Sequence, residues 1–289
     1  MTQHIAFYGK GGVGKSTLAT NLGSAMAEAG QRVLLIGCDP KADTGILLHS
    51  EETVRPILDM AASGESPTLT DIVRYGFGGI ACIEVGDAMA IGECASYGIN
   101  RAFTILQELK VFDELQPDCV LYDIPGETGC SGFSSPILNS LIQQAFVVTS
   151  ADLMSLYAAN SFFRLLERKC GSRAVSGGLI ANGLTGSFEE SLVNDFARQL
   201  NTRVAGAIPR SLVVRQCELY DKTVIEAAPL SNLAYSYRRL AHHLINSPLT
   251  GEQSAPQPLL PVDLKRWAKK WGDRIGELEF GIIQDGAGI

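Results

Sequence analysis

The chain has 289 residues, 46% of them hydrophobic, and a formal net charge of −7. A chain of this length can bury the core of an α/β domain, whereas the acidic balance disfavours non-specific binding to nucleic acid. No apolar run reaches the roughly 18 residues of a membrane span, and no export signal precedes the first predicted strand. We therefore expect a cytoplasmic protein whose 7 cysteines serve as core residues or metal ligands rather than forming disulfides.

The first predicted element is a buried strand at residues 4–8, followed by a glycine loop and a helix at 16–29. Residues 9–16 fit the phosphate-loop pattern G-x-x-x-x-G-K-[ST], whose backbone N–H groups surround a phosphate. Lys15 would reach the β/γ-phosphate oxygens, and the Ser16 hydroxyl would bind Mg²⁺. The predicted ATP-binding loop consists of Gly9, Lys10, Gly11, Gly12, Val13, Gly14, Lys15, Ser16 and Thr17.

Apolar strands alternate with helical patterns along the rest of the chain. Further strands are predicted at 32–37, 80–85, 119–124, 145–149, 178–181 and 204–208. Helices are predicted at 56–62, 98–109, 156–169, 189–200, 233–246 and 263–279. This order predicts an α/β fold with a mostly parallel sheet flanked by helices. A proline-rich stretch at 247–261 separates a predicted ATPase domain, 1–246, from a C-terminal extension, 247–289.

Acidic residues follow two of the predicted strands. Asp39 and Asp43 flank Lys41 after the second strand, and Asp123 lies at the end of a later one. At the carboxyl edge of a parallel sheet, such carboxylates suit Mg²⁺ binding and the positioning of water near a γ-phosphate. A helix cap is the alternative role for Asp43. We expect Asp123 to bind Mg²⁺ through water, with Gly126 close to the γ-phosphate.

Two cysteines, Cys94 and Cys130, lie among glycines at predicted loop-to-helix junctions. Such surroundings favour thiolates and allow backbone N–H groups to approach a cluster sulfur. A [4Fe–4S] cluster takes four thiolates, so these two cysteines would need two more from a second chain. Spacing alone leaves this open, since there is no local C-x-x-C. Core packing is the expected role of Cys38, Cys82 and Cys119.

Taken together, several segments resemble the nitrogenase iron-protein family, in order over roughly residues 3–246. They are the phosphate loop with its second lysine, residues 37–43, 75–79, both cysteine segments, 156–160 and 223–226. The resemblance implies a homodimer with one bridging [4Fe–4S] cluster that couples MgATP hydrolysis to electron delivery. It also implies a separate heteromeric iron–sulfur catalytic component as partner, and an external electron donor such as ferredoxin or flavodoxin.

The resemblance also implies roles for individual residues. Cys94 and Cys130 would ligate the cluster shared between two subunits, and Lys10 would reach the nucleotide of the partner chain. Ser16, Asp43 and Asp123 would lie at Mg²⁺. Lys41 would lie at the nucleotide, and Asn182, Pro209 and Arg210 would hold the adenine. Lys10 and Lys15 would stabilise charge on the transferred phosphoryl group, and Asp39 and Glu127 are candidates for orienting the attacking water.

The sequence departs from the family pattern near both cysteines. Family members typically read Asp-Val-Leu-Gly-Asp-Val-Val-Cys-Gly-Gly-Phe, whereas this chain has Pro125, Glu127 and Ser131 in that segment. Tyr97 occupies the position of an arginine in nitrogenase iron proteins. We therefore favour a divergent branch of ATP-dependent reductases, with methylthio-alkane reductase as the best single candidate. Nitrogenase itself and a tetrapyrrole reductase of the protochlorophyllide type are the alternatives.

A different class, the partitioning or positioning ATPases, shares this form of phosphate loop but binds DNA or membrane. The predicted helix at 263–279 favours it through an apolar stripe with lysine and arginine around it. The stripe consists of Leu264, Trp267, Trp271, Ile275 and Leu278. Packing against a dimer mate or partner complex explains the stripe equally well, and we expect packing because iron proteins also end in a linker and tail.

Overall fold

The computed structural model describes residues 2–48, 54–87, 89, 92, 95–126, 141–170, 176–246 and 255–281. None of the helices within these ranges is both long enough and apolar enough to cross a membrane.

Eight strands form one sheet in the described chain, in the order β3-β4-β2-β5-β1-β6-β7-β8. They are β1 (Gln3–Gly9), β2 (Val33–Gly37), β3 (Arg74–Tyr75), β4 (Ala81–Glu84), β5 (Cys119–Asp123), β6 (Gln144–Thr149), β7 (Ser176–Leu184) and β8 (Val204–Pro209). Every neighbouring pair is parallel except β3 with β4. The predicted fold class, a mostly parallel sheet flanked by helices, is confirmed.

Helices lie between most of the consecutive strands in the described part of the chain, as is usual for crossover connections. Those described are α1 (Lys15–Glu28), α2 (Ile57–Ala62), α3 (Leu69–Ile72), α4 (Ala95–Glu108), α5 (Val111–Leu115), α6 (Leu153–Cys170), α7 (Ser187–Gln199), α8 (Leu212–Glu218), α9 (Val224–Ala227), α10 (Asn232–Asn246) and α11 (Pro261–Phe280). A short 3₁₀ turn spans Phe77–Gly79.

The core has two layers, one on each face of the sheet. Ile5 and Phe7 of β1 pack in the layer that contains α1 and α10, whereas Ala6 and Tyr8 pack in the layer that contains α4, α6 and α7. Successive side chains of a strand point to opposite faces, so a strand buried on both faces is apolar throughout. This explains the continuous apolar character of β1.

Five short elements were not predicted: β3, α3, α5, α8 and α9. None exceeds two turns of helix or two residues of strand, which is too short for an apolar period to show. A local signal existed for α3, where Thr68 and Asp71 form a capping box.

The last helix, α11, packs on its own chain. The indole N–H groups of Trp267 and Trp271 both donate to Oδ2 of Asp195 in α7, at 2.9 and 3.0 Å. The rings of Trp267 and Phe196 lie 5.2 Å apart. Three stripe residues, Leu264 and both tryptophans, are therefore buried. The expectation that the stripe packs on a dimer mate or partner was wrong for these three residues. Because they are buried, they cannot contact a membrane either.

The chain just before α11 is also pinned to the body of the protein. Asn160 of α6 donates through Nδ2 to the Leu259 carbonyl at 2.9 Å and accepts from the Leu259 N–H at 2.8 Å. The Gln257 N–H donates to the Leu200 carbonyl at 2.7 Å. These bonds and the α11 contacts tie residues 255–281 to α6 and α7. The division of the chain at residue 246 stays a prediction.

Candidate functional site

The phosphate loop lies between the end of β1 and the start of α1, as predicted. Gly12 and Gly14 have φ angles of +79° and +88°, a conformation that favours glycine. Gly14 is the N-cap of α1, and a Cβ there would lie 2.5 Å from Nδ2 of Asn182. The loop therefore delivers backbone N–H groups and a helix N-terminus to one place, which is a suitable site for a phosphate.

Lys15, the first residue of α1, is buried with 7% of its surface exposed. Burial lowers the pKa of its ammonium group, and the Asp123 and Asp39 carboxylates oppose that shift. Its Nζ lies 3.4 Å from the Lys10 carbonyl oxygen. A cation held inside the loop suits an anionic phosphate, which would offset the cost of burying the charge.

Ser16 and Asp123 meet beside Lys15. The Ser16 hydroxyl donates to Oδ2 of Asp123 at 2.5 Å, and the Thr44 hydroxyl donates to the same oxygen at 2.9 Å. The other oxygen, Oδ1, is buried and has no hydrogen-bond partner within the described part of the chain. Burial raises the pKa of Asp123, although the bond from Ser16 and the charge of Lys15 act against this. A hydroxyl and a carboxylate with a free oxygen are the ligands that Mg²⁺ prefers, so the residues fit the ion.

The loop after β2 places the next predicted residues near Lys15. Asp39 is half-buried, and its Oδ1 accepts from the Lys41 N–H at 3.1 Å. Asp39 and Lys41 lie close enough to shift the pKa of Lys15 in opposite directions. Lys41 and Asp43 are exposed. The structure therefore brings this loop to the mouth of the phosphate site.

The predicted adenine residues lie at the ends of β7 and β8. Asn182 donates through Nδ2 to the Val13 carbonyl at 2.8 Å, so it braces the phosphate loop. Pro209 ends β8 and, like Arg210, is exposed; the Arg210 N–H donates to the Leu184 carbonyl at 2.8 Å. Contact of these three residues with adenine stays a prediction.

Sequence reasoning missed two polar residues, Glu218 and Asn21, that hold the site together. The Thr17 hydroxyl donates to Oε1 of Glu218 at 2.8 Å. Oδ1 of Asn21 accepts from the Val224 N–H at 2.7 Å. These bonds fasten α8 and α9 to α1, beside the phosphate loop. The segment 223–226 was noted in the sequence, but its contact with α1 joins residues about 200 positions apart, which no local pattern reveals.

Glu84, at the end of β4, was also missed. It is 2% exposed, and its Oε1 accepts from the Gly45 N–H at 2.8 Å. Burial raises its pKa to about 8; the Gly45 bond opposes the shift, while Asp123, Asp43 and Asp39 add to it. All four residues of β4 are buried, so no alternation of apolar and polar residues marked this glutamate as pointing inward.

Three predicted residues, Cys94, Glu127 and Cys130, lie outside the described residues. Their predicted roles stay predictions. Gly126, the residue before Glu127, lies against the phosphate loop: a Cβ there would collide with the Gly11 nitrogen and would lie 2.8 Å from the Gly9 oxygen. The segment that leads to Cys130 therefore begins in contact with the nucleotide loop.

The structure also shows the surroundings of three other cysteines and of Tyr97. Cys38, Cys82 and Cys119 are buried, which confirms core packing. Burial raises the pKa of each thiol, that of Cys119 to about 12. Tyr97, in the first turn of α4, is 61% exposed. Its side chain is thus accessible on the surface.

Solved structures of ATPases share the fold. The septum site-determining protein MinD of Pyrococcus horikoshii OT3, in complex with Mg-ADP, matches with a TM-score of 0.68 and 20% identity, over 88% of this chain and 99% of that one. A ParA family ATPase of Chlorobium tepidum TLS matches with a TM-score of 0.66 and 20% identity, over 84% of this chain and 98% of that one. At such identities the likeness concerns the fold alone.

Sequence relatives are much closer. "Nitrogenase iron protein 2" of Paenibacillus durus is 38% identical over 286 residues, 99% of this chain and 97% of the relative. The "Nitrogenase iron protein" of Methanococcus voltae is 38% identical over 88% of this chain and 91% of its own length. The model of the family described as 4Fe-4S iron sulfur cluster binding proteins, NifH/frxC family, matches residues 3–272. The chain therefore belongs to the NifH/frxC family of 4Fe-4S iron–sulfur cluster binding proteins.

Proposed function

We propose that this protein is the ATP-hydrolysing electron donor of a two-component, nitrogenase-like reductase. The observation that carries the proposal is the contact of Gly126 with the phosphate loop. The nucleotide site and the segment bearing Cys130 meet there. A conformational change of the phosphate loop on ATP hydrolysis would therefore be transmitted to a proposed cluster ligand. A change of nucleotide state that reorders a neighbouring segment is a known form of switching.

Family membership confirms the predicted cofactors, a [4Fe–4S] cluster and MgATP. When bound, the cluster would supply a single electron and Mg²⁺ would neutralise charge on the phosphates. We assign the cluster to Cys94 and Cys130 of two subunits, and Mg²⁺ to Ser16, Asp43 and Asp123. The free Oδ1 of Asp123 supports the magnesium assignment.

In the proposed reaction the chain's own residues bind and orient ATP. The phosphate-loop N–H groups and Lys15 hold the phosphates, and Lys15 stabilises charge as it develops on the γ-phosphoryl group. Asp39 or Glu127 orients the attacking water. Lys10, exposed at the loop, reaches the nucleotide of the partner chain in the homodimer.

The electron passes to a separate heteromeric component that holds the final substrate. Exposure of Tyr97 supports a docking face around Cys94. A tyrosine cannot form the ion pair that arginine makes with a carboxylate patch, so we place the partner outside the nitrogenases. Methylthio-alkane reductase, which cleaves C–S bonds reductively, is our candidate. The names of the relatives favour nitrogenase as the second candidate.

The test pairs the anaerobically purified protein with the heteromeric component encoded beside it. We expect release of methanethiol or small hydrocarbons from methylthio-alkanes, dependent on ATP and on dithionite as the donor. The Lys15→Gln variant is the matched control and should release neither. Reduction of dinitrogen when the protein is paired with a nitrogenase molybdenum–iron protein would overturn the choice of branch.

A further inference from the structure

A row of three residues crosses the sheet at the entrance to the magnesium site. Gly37, the last residue of β2, is in register with Glu84 of β4 on one side and with Asp123 of β5 on the other. The outer two carry buried carboxyl groups, 2% and 1% exposed. Two carboxyl groups therefore flank a position that has no side chain.

The missing side chain leaves room for the loop that carries Asp43. A Cβ at Gly37 would overlap Oε2 of Glu84 and would lie 2.7 Å from the Thr44 hydroxyl oxygen. Both polar groups thus occupy the space above Gly37. Because any larger residue would displace them, glycine is required here for packing rather than for backbone conformation.

Each carboxyl group holds one of two consecutive loop residues. Asp123 accepts from the Thr44 hydroxyl at 2.9 Å, and Glu84 accepts from the Gly45 N–H at 2.8 Å. Thr44 and Gly45 are both buried, while Asp43, directly before them, is exposed. The turn is therefore clamped from both sides just after the residue assigned to Mg²⁺.

Glu84 plays the less obvious part in this clamp. Its second oxygen, Oε2, is buried and has no partner within the described ranges. Leaving a carboxyl oxygen unpaired in a protein interior is costly, and a residue with only a packing role would be better replaced by an apolar one.

We infer that Glu84 is a positioning residue for magnesium, acting through the Gly45 N–H to hold Asp43 at the metal. Glu84 does not touch the ion or the nucleotide in this arrangement. The inference rests on the proposed function, because it requires Mg²⁺ and nucleotide to bind at the phosphate loop.

Three substitutions separate the acceptor oxygen from the carboxyl group. Glu84→Ala removes the acceptor, Glu84→Asp keeps a carboxyl group but withdraws the oxygen, and Glu84→Gln keeps an acceptor oxygen without a carboxyl group. ADP binding is measured by calorimetry on the full chain, purified anaerobically, in EDTA and in saturating Mg²⁺. The dissociation constant in EDTA divided by that in Mg²⁺ gives the factor by which Mg²⁺ strengthens ADP binding. Glu108→Ala, at an exposed position of α4, is the control.

We expect Glu84→Ala and Glu84→Asp to lower this ratio about fivefold, the usual effect of one lost hydrogen bond. Affinity in EDTA should stay within about twofold, since the phosphate loop is intact, and Glu84→Gln should restore most of the ratio. A folding defect would instead weaken binding in both buffers.

Other outcomes would overturn the inference. A wild-type ratio in Glu84→Asp would show that Asp43 does not depend on the clamp. A loss in Glu84→Gln as large as in Glu84→Ala would show that an acceptor oxygen at this position is not enough to hold Asp43. If Mg²⁺ did not strengthen ADP binding by the wild-type protein, the proposed function would fail as well. A failure of the Glu84 inference alone leaves the wild-type effect of Mg²⁺ intact, so the two failures can be distinguished.

Discussion

A 2.5 Å hydrogen bond joins Ser16 and Asp123, which lie 107 positions apart in the sequence. The bond connects the start of α1 to the end of β5, the two elements that flank the proposed magnesium position. Since Ser16 and Asp123 touch, their substitutions should not act independently.

Asp123→Asn and Ser16→Ala should each weaken Mg²⁺-dependent nucleotide binding by at least about tenfold, because each removes a proposed ligand of the ion or its water shell. The double variant should lose little more than either single one. Calorimetry with ADP in Mg²⁺ and in EDTA measures this, with Thr104→Ala on α4 as a control. Full additivity would contradict a shared magnesium site.

Lys15→Gln should abolish ATP hydrolysis. The buried ammonium group is the charge that the phosphate loop offers to the γ-phosphoryl group, and glutamine cannot replace it. Phosphate release by the full chain is the measurement, and Lys269→Gln, exposed on α11, is the matched control. Hydrolysis by Lys15→Gln at the wild-type rate would exclude this loop as the catalytic site.

Cys94→Ser and Cys130→Ser should each remove iron and weaken the homodimer, because two thiolates from each chain complete one cluster. Cys82→Ser and Cys119→Ser should keep their iron and lower the free energy of unfolding by about 1–3 kcal/mol, the cost of burying a hydroxyl. Iron quantitation and gel filtration compare the four variants. A wild-type iron content in Cys130→Ser would contradict the assignment of a bridging cluster.

Glu84 should make the stability of the protein depend on pH. Its pKa is raised from 4.5 to about 8, so the folded state keeps a proton that the unfolded state releases. This contribution to stability is complete below pH 4.5 and is lost as the pH rises towards 8. The stability of Glu84→Gln relative to wild type should thus increase by up to about 1.4 kcal/mol per pH unit, and level off above that pKa.

Urea unfolding of the iron-free chain at a series of pH values measures the effect. Glu108→Gln, whose carboxyl group is replaced at an exposed site, should follow the wild-type curve throughout. Parallel curves for wild type and Glu84→Gln would mean that the glutamate is ionised in the folded protein.

Asp195→Ala should detach the last helix. Two indole N–H groups depend on one carboxylate oxygen, and leaving buried donors unpaired costs about 1–3 kcal/mol. Limited proteolysis should therefore cut the variant near residue 255 faster than the wild type. Asp273→Ala, a substitution on α11 itself, is the control. Equal cutting rates would show that apolar packing alone holds the helix.

Much of the fold could be predicted because its signals are local. The apolar strand, glycine loop and helix around Lys15 follow each other in sequence, and the alternation of strands and helices leads directly to a parallel sheet. The order of the strands could not be obtained in this way, because it depends on crossovers between distant segments.

The candidate site was predictable to the same extent. Ser16 and Asp123 have recognisable settings, one in a motif and the other at the end of an apolar strand. Glu84 and Thr44 have none, because their importance arises from the register of β4, β2 and β5. Glu218 likewise gains its role only from contact with Thr17, 201 positions away.

The two tryptophans of the chain are Trp267 and Trp271. Since both donate to Asp195, the tryptophan fluorescence of this protein comes from a single neighbourhood, the seam between α7 and α11. No label is needed to follow that seam. A shift in emission when nucleotide is added would reveal movement carried across the molecule to its last helix, whereas constant emission would mark the helix as a passive part of the scaffold.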